Sequence, residues 1–248
     1  MSSLKLTFEN VYDEVGVFLG IGTSPDTAEL VKIKNITYRG YRNFLFPAGH
    51  LWSFLKQEAT ITTSAGAWVY ELPADYGFLV RKFEFGADDS YPVLRSRSVA
   101  QIMSMRNMSD SNSCPKYYAE RAGNYQPESG QRYEVILHSP PNGVYTFNYS
   151  YCIEPAKPVN DADYFVGGML ASECILESAL AVAETQEDET IGIHSQLAAE
   201  AITKLVAWDI KHSPASVGFN YDTGLLRSVS WREWYIPEKL STGVYGVE

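Results

Sequence analysis

The chain has 248 residues, with 20 Lys and Arg against 30 Asp and Glu, a formal charge of −10, and 45% hydrophobic residues. A net-negative chain lacks the broad basic surface that phosphate neutralisation needs, which excludes tight electrostatic binding of nucleic acid. Hydrophobic content near half excludes a disordered chain and suits one large domain or two small ones.

The charge is concentrated. Between Lys157 and Lys204 stand nine acids, Asp161, Asp163, Glu173, Glu177, Glu184, Glu187, Asp188, Glu189 and Glu200, and no Lys or Arg. Residues 1–157 carry 15 basic and 16 acidic side chains, which nearly cancel. No apolar run approaches the roughly 20 residues that a bilayer span requires. The N-terminal stretch has no apolar signal core with a cleavage site, so a soluble, cytosolic protein is expected.

In chain order, Phe8, Val11, Tyr12, Val15, Phe18 and Leu19 recur at three- and four-residue spacing and predict a helix over Leu6–Leu19. Gly20-Ile21-Gly22 stops it. Ser24, as cap, and Pro25, preset for a first turn, restart the chain into a helix from about Asp26 to Leu45. Leu30, Ile33, Tyr41, Phe44 and Leu45 are among its buried positions. After Pro47-Ala48-Gly49 the period changes to two. Residues 59–63 and 67–72 flank Ser64-Ala65-Gly66 as a hairpin, and Leu79–Phe85 alternates again. Ser98 caps a short helix to Arg106. Tyr133–His138 and Val144–Ile153, joined through Asn142-Gly143, form a second expected hairpin, with Tyr145, Phe147, Tyr149 and Tyr151 on one face. Helices return over Met169–Glu184, with Met169, Leu176, Leu180 and Ala183 inward, and over Ser195–His212, with Leu197, Ala198, Ala201, Leu205 and Trp208 inward. Residues 215–248 have no sustained periodicity and hold Trp231, Trp234 and Tyr235, an arm that orders on a partner or not at all.

The search for chemistry is largely negative. The sequence has no glycine-rich phosphate loop, no zinc-protease, hydrolase-elbow or kinase signature, and no CxxC pair. Cys114, Cys152 and Cys174 read as buried or half-buried thiols. His50, His138, His194 and His212 each stand without a second ligand at metal spacing. No catalytic, cofactor or metal site is assigned. Glu173, Glu177 and Glu184, at four- and seven-residue offsets, form an acidic helix face that either faces solvent or meets Lys and Arg of a neighbouring subunit.

An ordered set of short stretches carries a resemblance. It runs from Tyr38-Arg39-Gly40-Tyr41-Arg42-Asn43-Phe44-Leu45-Phe46-Pro47 and Trp52-Ser53-Phe54-Leu55 to Tyr70-Glu71-Leu72-Pro73-Ala74-Asp75-Tyr76-Gly77 and Pro115-Lys116-Tyr117-Tyr118-Ala119. Gly130-Gln131-Arg132-Tyr133-Glu134 and Pro140-Pro141-Asn142-Gly143-Val144-Tyr145-Thr146 follow. Gly167-Gly168, Glu173-Cys174-Ile175-Leu176-Glu177 and Val217-Gly218-Phe219-Asn220-Tyr221-Asp222 complete it. Together these resemble the head–tail connector (adaptor, or neck) proteins of tailed bacteriophages.

The resemblance implies a non-enzymatic virion protein assembled in the host cytoplasm. It implies a ring, usually dodecameric, that sits below the portal, carries the tail or a tail-proximal neck protein, and passes genome DNA through its bore. The expected fold class is α+β, a helical bundle of N- and C-terminal helices with an inserted antiparallel β-rich domain. The expected division is 1–47 plus 160–213, helical; 48–159, β-rich; and 214–248, an extended arm. Trp231, Trp234 and Tyr235 are then candidates for portal contact. Glu173, Glu177 and Glu184 are candidates for an acidic bore or subunit-contact face. A tail-tube or tail-completion protein, and a carbohydrate- or receptor-binding module, are the alternative readings.

Overall fold

The computed structural model describes residues 4–22, 24–86, 91, 93–125, 127–128, 130–188 and 191–213. The arm with Trp231, Trp234 and Tyr235 therefore lies outside the described residues. Residues Met1–Asp209 make one compact unit. Within the described residues the chain is α+β, with five α-helices and two sheets.

Two helices open the chain, α1 (Phe8–Phe18) and α2 (Thr27–Leu45). Thr7 and Asn10 cap α1 reciprocally, the Asn10 amide donating to the Thr7 hydroxyl and the Thr7 amide to the Asn10 side chain. At its far end Gly20 takes φ +70°. The amide of Gly20 then reaches the Val17 carbonyl and that of Ile21 the Gly16 carbonyl, so glycine stops the helix as expected. The start of α2 differs from expectation. Asp26, rather than Ser24, is the cap; its carboxylate accepts from the Ala28 and Glu29 amides, both at 2.8 Å, while Glu29 reaches back to the Asp26 amide. A carboxylate with Glu at the third helical position satisfies more orphan donors than a serine hydroxyl ahead of a proline can.

The later helices are α3 (Val99–Met108), capped by Ser98 with Gln101, then α4 (Gly168–Asp188) and α5 (Ile193–His212). Helix α4 runs past its expected end at Glu184 to Asp188, and α5 begins at Ile193, ahead of the expected Ser195, so the corner between them is shorter than expected. Helices α1, α2 and α4 pack against one another around Phe8, Val11, Ile33, Phe44, Ile175 and Ala179. Each such fully buried large side chain contributes about 1.5–3 kcal/mol. Gly40 brings the backbones of α2 and α4 into contact, since a Cβ there would stand 2.4 Å from Ala179 Cα.

The strands are β1 (Lys56–Thr62), β2 (Val69–Glu71), β3 (Tyr76–Phe85), β4 (Arg95–Ser96), β5 (Tyr117–Ala122), β6 (Tyr133–His138) and β7 (Thr146–Ile153). They form a three-stranded antiparallel sheet, β1-β7-β3, and a four-stranded sheet, β2-β6-β5-β4, in which only β4 and β5 run parallel. Both expected hairpins are corrected. β1 and β2 lie in different sheets, and so do β6 and β7. β6 is buried on both faces, with Val135 and Leu137 on one and Ile136 on the other, so it takes a central place between β2 and β5. β7 likewise needs partners on both sides. Local pairing would have left one flank of each unfilled. Asn142-Gly143 instead turns a corner between sheets, held where Thr63 bonds Gly143 and Tyr145.

Phe147, Tyr149 and Tyr151 share the buried face expected of β7 and pack with Phe83, Tyr118 and Val135 between the sheets. Helix α3 lies over the outer face of the four-stranded sheet through Ile102 against Ala119 and Ile136. β5 carried no strand expectation. Its Tyr117-Tyr118-Ala119 alternates between these two cores. On β7, Cys152 joins the helical core, and Ile153 packs on both that core and the inter-sheet one.

Candidate functional site

Two buried carboxylates, Glu184 and Asp209, bear on α5. This helix buries little, chiefly Ala198, Leu205 and Asp209. Leu197 and Trp208, expected inward, are 41% and 47% exposed, and Met169 is exposed as well. The stripe that turns inward is Ala198–Ala201–Leu205–Asp209, one position away from the larger apolar side chains, because small residues let the helix approach.

One polar cluster fixes the start of α5. Gly192, just before the helix, has no side chain with which to cap it. The Glu184 carboxylate, from the last part of α4, takes that role, accepting from the Ile193 amide at 2.9 Å and the His194 amide at 3.1 Å. A Cβ on Gly192 would fall 2.0 Å from Glu184 Oε1, so glycine there leaves room for the carboxylate. Negative charge at a helix N-terminus is favourable, and Glu184 is only 7% exposed. Two turns earlier on α4, Glu177 Oε2 pairs with His194 Nδ1 at 2.9 Å, and Phe18 of α1 sets its ring against the same imidazole.

A second cluster holds the helix farther along. Asp209, 3% exposed, accepts from the Ser53 amide at 3.0 Å and from the Ser53 hydroxyl, and pairs with His50 Nε2 at 2.8 Å. Burial alone would push this carboxyl up, but the Ser53 hydroxyl and amide and the His50 ring outweigh it and hold Asp209 below the usual range. Serine, histidine and aspartate meet here in an order that does not activate a nucleophile. The carboxylate sits between the other two, so the hydroxyl donates to Asp209 and has no imidazole base. The adjoining cleft, about 220 Å³, is lined by Phe54, Met169, Leu170, Leu205 and Trp208, an apolar wall. It is smaller than the several hundred Å³ usual for ligand sites. Among the described residues no three His, Cys, Asp or Glu side chains converge as metal ligands, and no helix is long and apolar enough to cross a membrane.

The acidic stretch is thus largely engaged within the chain. Asp161 bonds Lys34 at 2.9 Å, Asp163 accepts from the amides of Val159 and Asn160, and Glu200 pairs with Lys204. Of the three candidate acids, Glu173 is exposed, whereas Glu177 and Glu184 serve the α4–α5 corner. They do not form one solvent-facing set, because the start of α5 folds back against Glu177 and Glu184. Cys174, beside Glu173, is buried, and its thiol is pushed up to about 11 by that burial. The Asp209 cluster was not anticipated. Its signal was a charged residue one helical turn after Leu205, on the stripe that has to be buried.

These polar clusters fix α5 to α4 at one end and to the His50–Ser53 segment at the other. The chain matches the SU10 adaptor protein family over residues 30–218 and belongs to it, a family of bacteriophage adaptors. It is a structural phage protein. No curated protein matches the sequence.

Proposed function

We propose that the chain is an adaptor of the phage neck, a ring component that joins the portal of the head to the tail and passes genome DNA through its bore. The observation that carries this is the family match across residues 30–218, about three-quarters of the chain. The polar ties at both ends of α5 support it, because a connector must hold its shape under load without turning over a substrate.

In this reading residues 1–47 with 160–213 form the part that packs side by side with other copies, the wall of a dodecamer in virions. The β-rich residues 48–159 offer sheet edges and loops to the tail-proximal neighbour, and residues 214–248 form an arm for the portal. Trp231, Trp234 and Tyr235 anchor that arm, since buried Trp and Tyr dominate interface energies. Glu173, with Glu187 near the end of α4, supplies the exposed negative charge that keeps DNA from adhering to the bore. Mixing the purified protein with portal-bearing heads and imaging the particles tests the proposal. A ring of added density below the portal is expected, and truncation after residue 213 should abolish it. Density on the tail tube instead, or no loss on truncation, refutes the corresponding part.

A further inference from the structure

Two neighbouring helices of this molecule are segregated by sign. Helix α1 carries Glu9, Asp13 and Glu14 and no Lys or Arg. The outward face of α2 carries Lys32, Arg39 and Arg42, spaced by seven and three residues so that they share one stripe, and the helix's one acid, Glu29, is turned back to the Asp26 amide of its cap. All three cations are exposed, and none makes an ion pair within the described residues. Lys34, off that stripe, is the α2 cation that finds an internal partner, Asp161.

Exposed apolar side chains lie beside these charges, Val31 on α2, Phe46 just past its end and Val17 on α1. Arg39 also lines a shallow cleft of about 230 Å³ with mixed walls, Ala181 and Val182 beside Asn43, Thr185 and Gln186. On α1, burial first and then the neighbouring charge of Asp161 raise the Asp13 carboxyl. Among the described residues no ion pair joins Glu9, Asp13 or Glu14 of α1 to Lys32, Arg39 or Arg42 of α2.

We infer that the basic face of α2, Lys32, Arg39 and Arg42, docks on the acidic face of α1, Glu9 and Glu14, of a second copy of this chain. Two different patches meeting head to tail make a heterologous contact, which closes into a ring when the rotation per copy allows. Salt bridges at the rim set register and partner choice, while Val17, Val31 and Phe46 supply desolvated contact. A nucleic acid is the other partner that a basic stripe fits. The −10 of the whole chain and the acid-only α1 alongside favour the second copy. This inference rests on the adaptor reading for its ring but names the faces that form it.

Sedimentation of the full chain tests it, at about 20 mM salt and at about 0.5 M salt, where screening is short-ranged. The wild type should self-associate at low salt. Lys32→Glu/Arg39→Glu/Arg42→Glu, and separately Glu9→Lys/Glu14→Lys, should each weaken association about 10-fold or more. An equimolar mixture of the two reversed proteins should restore it, because each then presents the charge the other lacks. Far-UV circular dichroism checks the fold, and Arg39→Ala alone, an exposed truncation, should weaken association without any reversal. A wild type that stays monomeric, reversals without effect, or a mixture that fails to recover overturns the inference. So does a triple variant that loses binding to duplex DNA but keeps its self-association. The adaptor reading is judged separately, by density on portal-bearing heads, and survives if copies join through other faces.

Discussion

Gly40 offers a test in which two physical effects oppose each other in sign. In the middle of an exposed helix, replacing glycine with alanine stabilises by about 1 kcal/mol, because glycine loses more backbone freedom on folding. In this molecule the added methyl would stand 2.4 Å from Ala179 Cα, 2.5 Å from Ala179 N and 2.8 Å from the Ser178 carbonyl carbon. Carbon atoms in contact prefer about 3.5–4.0 Å. Helices α2 and α4 would therefore have to part by about 1 Å along their most extensive contact. The obstacle is backbone, so no rotamer change relieves it. Overpacking costs about 1–3 kcal/mol, occasionally more, and a rigid obstacle places this site at or above the top of that range. Less the propensity gain, Gly40→Ala should lose about 2–3 kcal/mol. In a chain of this size that lowers Tm by about 4–12 °C. Urea melts followed by far-UV circular dichroism measure it. Asn35→Ala, on the exposed outward face of the same helix, serves as control and should stay within about 0.5 kcal/mol. A Gly40→Ala protein as stable as the wild type, or more so, would mean that α2 and α4 are not in backbone contact.

Two further outcomes follow from the ties of α5. Asp209→Asn places an amide where the Ser53 amide, the Ser53 hydroxyl and the His50 ring converge and should cost about 1–3 kcal/mol in urea melts. Because the folded-state pKa of Asp209 is depressed, its stabilisation is complete above the unfolded value of about 3.9 and is withdrawn as pH falls from there through the folded value. The wild type should therefore lose stability more steeply than Asp209→Asn below about pH 4, and equal slopes would show that the carboxylate is not held by Ser53 and His50. Glu184→Ala should cost about 0.5–2 kcal/mol, as loss of a helix cap does, and speed hydrogen exchange at the Ile193 and His194 amides while leaving β6 protected. Unchanged exchange at those two amides would show that Glu184 is not the cap.

Much of the helical part was legible because its signals are local. The stripes of α1 and α2 repeat at helical spacing, Gly20 halts α1 where its positive φ is needed, and Ser98 caps α3 through Gln101 three residues on. The strand stretches of β3, β6 and β7 were also legible, and so was the aromatic face of Phe147, Tyr149 and Tyr151. Pairing was not. A turn sequence such as Asn142-Gly143 reports that the chain bends, but β6 and β7 gain more by filling the centres of two sheets than by pairing with each other. The acidic stretch was visible as composition, yet whether a given Glu faces water depended on where α5 returns. Helical spacing placed Glu173, Glu177 and Glu184 together; the fold exposes the first and commits the others.

The sequence by itself determined the number and order of the helices, the glycine stop, the inward aromatic face of β7 and the family to which the chain belongs. Each of these depends on residues within a few positions of one another, or on a pattern read in order. Tertiary structure alone decided the two-sheet topology, the contact of Gly40 with Ala179, and the meeting of Asp209 with His50 and Ser53. The carboxylate and its partners are 156 and 159 residues apart, and only packing in three dimensions sets that distance to hydrogen-bond length. The charge of −10 is a sum over the sequence; which of its members are spent inside the fold, and which remain to meet another molecule, is a property of the folded surface.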